Sequence, residues 1–239
     1  MKFGIAISAY ERPDGSSPTV LRRSIESVIA QTRRDWKLYI IGDHYGWKFQ
    51  NVIESCFPIE NPQDVFFTDL PYAIGRDTGL TGRHLWCNGG VGAMQFGLTL
   101  QHLEEIDIHC HLDFDDVWTP DHLETLAEQY EKDPVRIAFV YTQARRDFLD
   151  GNPFPPGPGD MLPVDRLPEP RWLAHSSASW KLSLIDTMYV PRLHLPADGY
   201  MWKRMAEEIE RKQLRSIFVP KVTVIRDSEK STIALHPND

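Results

Sequence analysis

Hydrophobic residues in this chain recur with two alternating periods, and that alternation predicts the fold. Over residues 3–8, Phe3, Ile5 and Ile7 alternate with small residues, which predicts a strand. A polar loop from Ser8 to Gly15 follows, and Ser17-Pro18 opens a helix with Leu21, Ile25, Val28 and Ile29 on one face. Trp36 to Ile41 reads as a second strand ending at Gly42-Asp43-His44. Strand, helix, strand implies parallel pairing through a right-handed crossover. A short helix over 48–55, a strand at Val65-Phe66-Phe67, a loop over 68–90 and a helix from Gly89 to Gln101 come next. Ile108 to Leu112 is an apolar run of strand length, and Pro120 to Lys132 an amphipathic helix turning Leu123, Leu126, Ala127 and Tyr130 inward. Ile137 to Tyr141 adds a strand, Ala197 to Arg211 a helix with Asp198 at its N-cap, and 216–219 and 222–225 two short strands. The pattern predicts an α/β fold, a single Rossmann-like domain with a mostly parallel central sheet flanked by helices.

One segment departs from this rhythm. Between Gly151 and Pro170 lie seven of the chain's 18 prolines, so regular structure is not expected there. A loop of that length is a functional lid, a binding loop or a disordered stretch. It is not a domain boundary, because the remainder is too short to hold a second core.

The 239 residues suit one large domain. A net charge of −8 with no lysine- or arginine-rich run argues against nucleic acid as a partner. No apolar run approaches the length of a transmembrane segment, and the opening residues turn polar too soon for a signal peptide. Cys56, Cys87 and Cys110 lack metal-site spacing and read as reduced thiols, which implies a cytoplasmic location.

The chemistry concentrates after the fourth predicted strand. Asp113-Phe114-Asp115-Asp116 releases three carboxylates within four positions, just before Thr119-Pro120 starts a helix. Like charges packed so closely repel unless a cation is present, and oxygen donors favour Mg²⁺ or Mn²⁺. The bland alternative is a solvated turn whose carboxylates suit the next helix dipole. Asp43, at the end of the second strand, is placed for a ligand or for a turn. Arg76, Arg83 and His84 in the 68–90 loop offer contacts to an anionic ligand, with a solvated loop the commoner explanation. His175 lies between Trp172 and Trp180, where rings serve either sugar stacking or core packing.

Together these segments resemble an inverting family 2 glycosyltransferase of the A-type nucleotide-sugar transferase fold. The resemblance rests on Ile7-Ser8-Ala9-Tyr10-Glu11-Arg12-Pro13, on the Ser27 to Thr32 phrase ending in Gln-Thr, on Gly42-Asp43, on the acidic turn with Trp118, Pro120 and Leu123, and on Asp198 with Trp202 and Arg204. It implies a single glycosyltransferase domain over 1–239, with 1–116 binding the nucleotide sugar and 117–239 the acceptor. Ser8, Tyr10, Asp43, Arg83 and Asp113 would hold the nucleotide, and Asp115 with Asp113 the metal, Mn²⁺ or Mg²⁺. Asp198 would be the catalytic base, with His175 and Trp202 on the acceptor side. A UDP-sugar donor and a glycan or glycoconjugate acceptor follow.

Two phrases depart from the family. Ala93-Met94-Gln95 stands where Ala-Arg-Asn is common, which passes donor contacts to Arg83 or Arg76. A late histidine is replaced by Arg226-Asp227-Ser228-Glu229-Lys230, where Arg226 or Lys230 would meet the diphosphate. Two other classes remain open at this point. Asp113-x-Asp115-x-Val117 also resembles the first motif of aspartate-nucleophile phosphohydrolases, and a non-catalytic nucleotide-sugar or glycan-binding module would fit the missing Arg-Asn pair.

Overall fold

The computed structural model describes residues 1–57, 64–73, 89–146, 153–154, 168, 173–185, 189 and 197–226. Arg76, Arg83, His84, Cys87, Trp172, Lys230, the tail from Asp227 and almost all of Gly151–Pro170 lie outside the described residues.

The strands are β1 (Phe3–Ala9), β2 (Trp36–Gly42), β3 (Val65–Asp69), β4 (Ile108–Asp113), β5 (Asp116–Trp118), β6 (Ile137–Arg146), β7 (Pro153–Phe154), β8 (Ala178–Lys181) and β9 (Arg215–Arg226). The helices are α1 (Ser17–Ile29), α2 (Lys48–Cys56), α3 (Val91–Leu103), α4 (His122–Lys132) and α5 (Ala197–Arg211). One sheet carries them in the order β3-β2-β1-β4-β8-β6-β9-β5, with β7 alongside β6.

The first four strands pair in parallel, as the alternation predicts. The chain starts at β1, winds outward to β3, then returns to the other side of β1 as β4. The direction of winding reverses between β1 and β4, and open α/β sheets bind ligands outside the carboxyl ends of such strands. Beyond β4 the sheet is mixed, because β8 runs antiparallel to both β4 and β6 while β6 and β9 are parallel. Only Phe114 and Asp115 separate β4 from β5, yet β5 closes the far end of the strand order against β9. A sheet can meet both conditions only by curling.

Two hydrophobic layers cover the sheet. Phe3, Ile5, Ile7, Leu38, Ile40, Ile108, Cys110 and Leu112 face α1, α2 and α4, whose Leu21, Ile25, Ile53, Leu123, Leu126 and Tyr130 complete that core. Tyr39 and Ile41 face the other way, toward α3 and the Met201, Trp202 and Met205 stripe of α5. Close approach is built into two glycines on β1 and β2. A Cβ on Gly4 would fall 2.4 Å from Gln101 Oε1, and one on Gly42 would fall 2.2 Å from Asp69 Oδ1.

Several elements differ from the pattern-based expectation. β6 runs five residues past Tyr141, and β9 is one strand where two were predicted, since its register shifts against β6 absorb the break. β5 and β8 are too short to show a sequence period of their own; β8 is a strand because it is enclosed by β4 and β6, and β5 because it pairs with β9. Cys56 and Cys110 are free thiols, and burial pushes Cys110 well up.

Gly42→Ala tests the close approach. The added methyl collides with the Asp69 carboxylate, which accepts the backbone N–H groups of Tyr45 and Gly46 at 2.8 Å each. We expect about 1–3 kcal/mol of destabilisation, the usual cost of overpacking, in urea unfolding of the full chain. A loss below about 0.5 kcal/mol would show that the loop after β2 does not depend on this contact.

Candidate active site

The carboxyl ends of β1, β2 and β4 lie side by side because their registers align Ser8 with Ile41 and with Asp113. Asp43 continues this edge, its N–H donating to the Ala9 carbonyl at 2.6 Å, and its side chain is buried. Tyr10 is half-buried, edge-on to Phe114 with ring centroids 4.9 Å apart. The structure thus brings Ser8, Tyr10, Asp43 and the acidic turn to one edge.

The Ser27 to Thr32 phrase has a structural role. Ser27 Oγ accepts the Trp118 N–H at 3.2 Å, and Gln31 Nε2 donates to the Thr119 carbonyl at 2.8 Å. Gln31 Oε1 accepts the Leu123 N–H at 3.0 Å, and the Thr32 N–H reaches the Pro120 carbonyl at 2.8 Å. The end of α1 is thereby fastened to the segment leaving the acidic turn. Ser24 Oγ lies within hydrogen-bond distance of the carbonyls of Phe114 and Asp116, at 2.7 and 2.6 Å.

The three carboxylates have three different surroundings. Asp113 faces two imidazoles: Nε2 of His111 and Nδ1 of His175 each stand 3.5 Å from its Oδ1. Burial opposes its charge, but those histidines hold it well below the ordinary carboxylate range. Asp115 pairs with Arg12, a buried guanidinium 5.0 Å from the centre of the Phe114 ring. Burial and the charge of Asp113 raise Asp115 to about 6, against the pull of Arg12 and Arg226. Asp116 is buried and pushed well up by that burial, with Arg226 Nε 3.6 Å away on β9 opposing the shift. Ser176 joins the turn together: its hydroxyl accepts the Asp113 N–H at 3.0 Å and donates to Asp116 Oδ2 at 2.6 Å. Its carbonyl accepts the Trp118 indole N–H at 2.8 Å.

His175 belongs to a one-turn 3-10 helix, His175–Ser177, preceding β8. Its ring stacks on His111 with centroids 3.9 Å apart and 8° between planes. Burial and the charge of His175 push His111 down to about 4, so its ring is neutral near pH 7. Trp202 and Trp180 lie in the core; Trp202 meets His175, Phe139 and Trp180 edge-on. Asp198 is in the first turn of α5, one position inside the helix and not at its N-cap, and its Oδ1 accepts the Gly199 N–H at 2.7 Å. Burial raises its carboxyl, while the nearby charges of His175 and Arg226 pull it down. Trp202, one turn further along α5, meets His175, which stands 3.5 Å from Asp113, so the start of α5 and the acidic turn share a neighbour.

Arg12, His111, Ser176 and Tyr189 were not foreseen as site residues. Arg12 lies inside the Ile7–Pro13 phrase, His111 precedes the acidic turn by two positions and Ser176 adjoins His175, but none of these places names the group it meets. As for a cation, the edge supplies three carboxylates and two imidazoles, a donor set that fits a divalent ion. Among the described residues, His111, Asp113 and His175 form a group whose ligand atoms lie within 4.8 Å of one another. Asp115 is not part of it.

Such an edge defines a ligand-binding α/β domain, and comparison with known proteins identifies its kind. No protein-family model matches. An uncharacterized glycosyltransferase of Acanthamoeba polyphaga mimivirus is 32% identical over 247 residues, covering 97% of this chain and 96% of the viral protein. The chain belongs to that glycosyltransferase family, which sets the phosphohydrolase reading aside. Among solved structures, S. aureus TarS in complex with UDP-GlcNAc superposes with a TM-score of 0.72 at 12% identity, covering 97% of this chain and 60% of the other. The mannosyltransferase PcManGT of Pyrobaculum calidifontis, in complex with GDP-Man and Mn²⁺, gives 0.67 at 11%, covering 98% and 59%. At these identities the likeness is one of fold, the A-type glycosyltransferase domain, and the chain spans about three fifths of those two structures. No helix among the described residues is long and apolar enough to cross a membrane.

Ser176→Ala tests the join. It leaves the Asp113 N–H without its acceptor and Asp116 Oδ2 without its donor, in a buried setting. An unsatisfied buried group costs about 1–3 kcal/mol. We expect a loss in that range by chemical denaturation; a variant as stable as the parent would show that the bridge carries no weight.

Proposed function

We propose that the chain is an inverting, family 2 type glycosyltransferase that moves a sugar from a nucleoside-diphosphate donor, UDP-linked, to a hydroxyl of a glycan. The observation that carries the reading is one place shared by two groups of residues. Ser8, Tyr10, Asp43 and the acidic turn lie at the switch point of the sheet, and Trp202, one turn beyond Asp198 on α5, packs against His175, which stands 3.5 Å from Asp113. The likeness in fold to TarS with UDP-GlcNAc and to a mannosyltransferase with GDP-Man and Mn²⁺ supports a nucleotide-sugar donor.

Each residue then has a chemical task. Asp43 accepts a hydrogen bond from the base, and Tyr10 packs beside it. Asp113 and Asp115 would hold a divalent cation, Mn²⁺ or Mg²⁺, which would supply Lewis-acid stabilisation of the charge on the departing diphosphate. Arg12 and Arg226 bring positive charge to the same turn. Asp198 takes the proton from the acceptor hydroxyl; a carboxyl lifted by burial suits a base, since efficiency peaks with a pKa near the working pH. With no enzyme nucleophile, one in-line displacement inverts the anomeric carbon. His175 lies between the two groups, where it orients Asp113.

Asp198→Asn separates catalysis from structure. Asparagine keeps the oxygen that accepts the Gly199 N–H but has no useful basicity. We expect transfer to fall by about 10²–10⁴-fold, with thermal stability and donor affinity near those of the parent. Transfer at the parental rate would remove Asp198 from the reaction.

A further inference from the structure

Behind the acidic turn, Asp113 meets two buried imidazoles. His111 precedes Asp113 by two positions on β4, so both side chains leave the same face of the sheet. His175 arrives from the turn before β8. The three donor atoms lie within 4.8 Å of one another, and both imidazole nitrogens stand 3.5 Å from one carboxylate oxygen. That is too far for a charge-assisted hydrogen bond, which closes to about 2.7–2.9 Å. It matches donors sharing an ion: ligands about 2.1 Å from a tetrahedral centre stand about 3.4 Å apart. The rings are stacked and nearly parallel, and the soft χ2 torsion of an imidazole lets either lone pair swing toward the common point.

One imidazole and the carboxylate are held from behind, while Nδ1 of His111 has no hydrogen-bond partner among the described residues. His175 Nε2 pairs with the Tyr189 hydroxyl at 2.9 Å, and the Tyr189 N–H donates to Gln95 Oε1 at 2.8 Å. Ligating histidines are characteristically fixed this way through their second nitrogen. Asp113 is fixed through its backbone by Ser176. The histidine side chains are 2% and 7% exposed, while that of Asp113 is 31% exposed, so the open coordination position faces outward through Asp113.

We propose that His111 Nε2, Asp113 and His175 Nδ1 bind one borderline transition-metal ion, of the Zn²⁺ or Co²⁺ type, without any nucleotide present. Two imidazoles and one carboxylate suit such ions and discriminate against Mg²⁺, which retains water and oxygen ligands. The site rests on these three residues and not on the cation dependence of sugar transfer, so the two readings fail separately.

The test uses the full chain, stripped of metal and free of nucleotide. Calorimetric titration with Zn²⁺ and with Mg²⁺ is paired with X-ray absorption spectroscopy of the Zn²⁺-loaded protein. We expect one Zn²⁺ per chain, two imidazoles in its shell, and Mg²⁺ bound at least about 100-fold more weakly. Tyr189→Phe removes only the supporting hydroxyl and should weaken Zn²⁺ about 10-fold while the metal-free variant keeps its thermal transition. His175→Ala should abolish the two-imidazole shell. No bound Zn²⁺, a shell without imidazole, or equal affinity for Zn²⁺ and Mg²⁺ would overturn the proposal. A cation requirement for transfer alongside an imidazole-free shell would overturn this site alone. A two-imidazole shell in an enzyme whose transfer ignores added and chelated cations would keep the site and sink the cation's role in transfer.

Discussion

Everything at the working edge depends on a two-residue connection. Phe114 and Asp115 carry the chain from β4, in the middle of the sheet, to β5 at its far end. The turn is secured from three sides. The hydroxyl of Ser176 holds Asp113 and Asp116 together, the end of α1 grips the exit through Ser24, Ser27 and Gln31, and β9 pairs with Asp116–Trp118. A serine hydroxyl can do this because it donates and accepts at once.

Packing three carboxylates into that turn sets the electrostatics. They survive close together by dividing their partners: imidazoles for Asp113, Arg12 for Asp115, Arg226 and Ser176 for Asp116. Asp116 is so fully buried that it serves the architecture more than any ligand. Asp113 and Asp115 remain partly exposed, which leaves them the two carboxylates able to meet a ligand. The Ala93-Met94-Gln95 departure also acquires a physical meaning, since Gln95 is spent on holding Tyr189, and Tyr189 on holding His175.

Much of this was legible in the sequence because its signals are local. A period-two run predicts β1, an apolar run β2 and helical stripes α1 and α4, and a strand ending in Asp113-Phe114-Asp115-Asp116 announces an acidic edge on an α/β sheet. The placement of Asp43 follows from the same logic, as the residue after a strand parallel to β1 must emerge beside it. What the sequence could not decide was which partner each group meets. Ala178–Lys181 becomes a central strand only because β4 and β6 enclose it, and the second half of the sheet is mixed where a mostly parallel one was expected. His175 and Trp202 share a candidate role in sequence, yet the fold sets one against Asp113 and the other in the core behind it. Local periodicity determines elements and their exposed ends, whereas the pairing of Arg12 with Asp115, of Ser176 with Asp116 and of His111 with His175 joins positions far apart in sequence, and only tertiary packing brings such positions within reach.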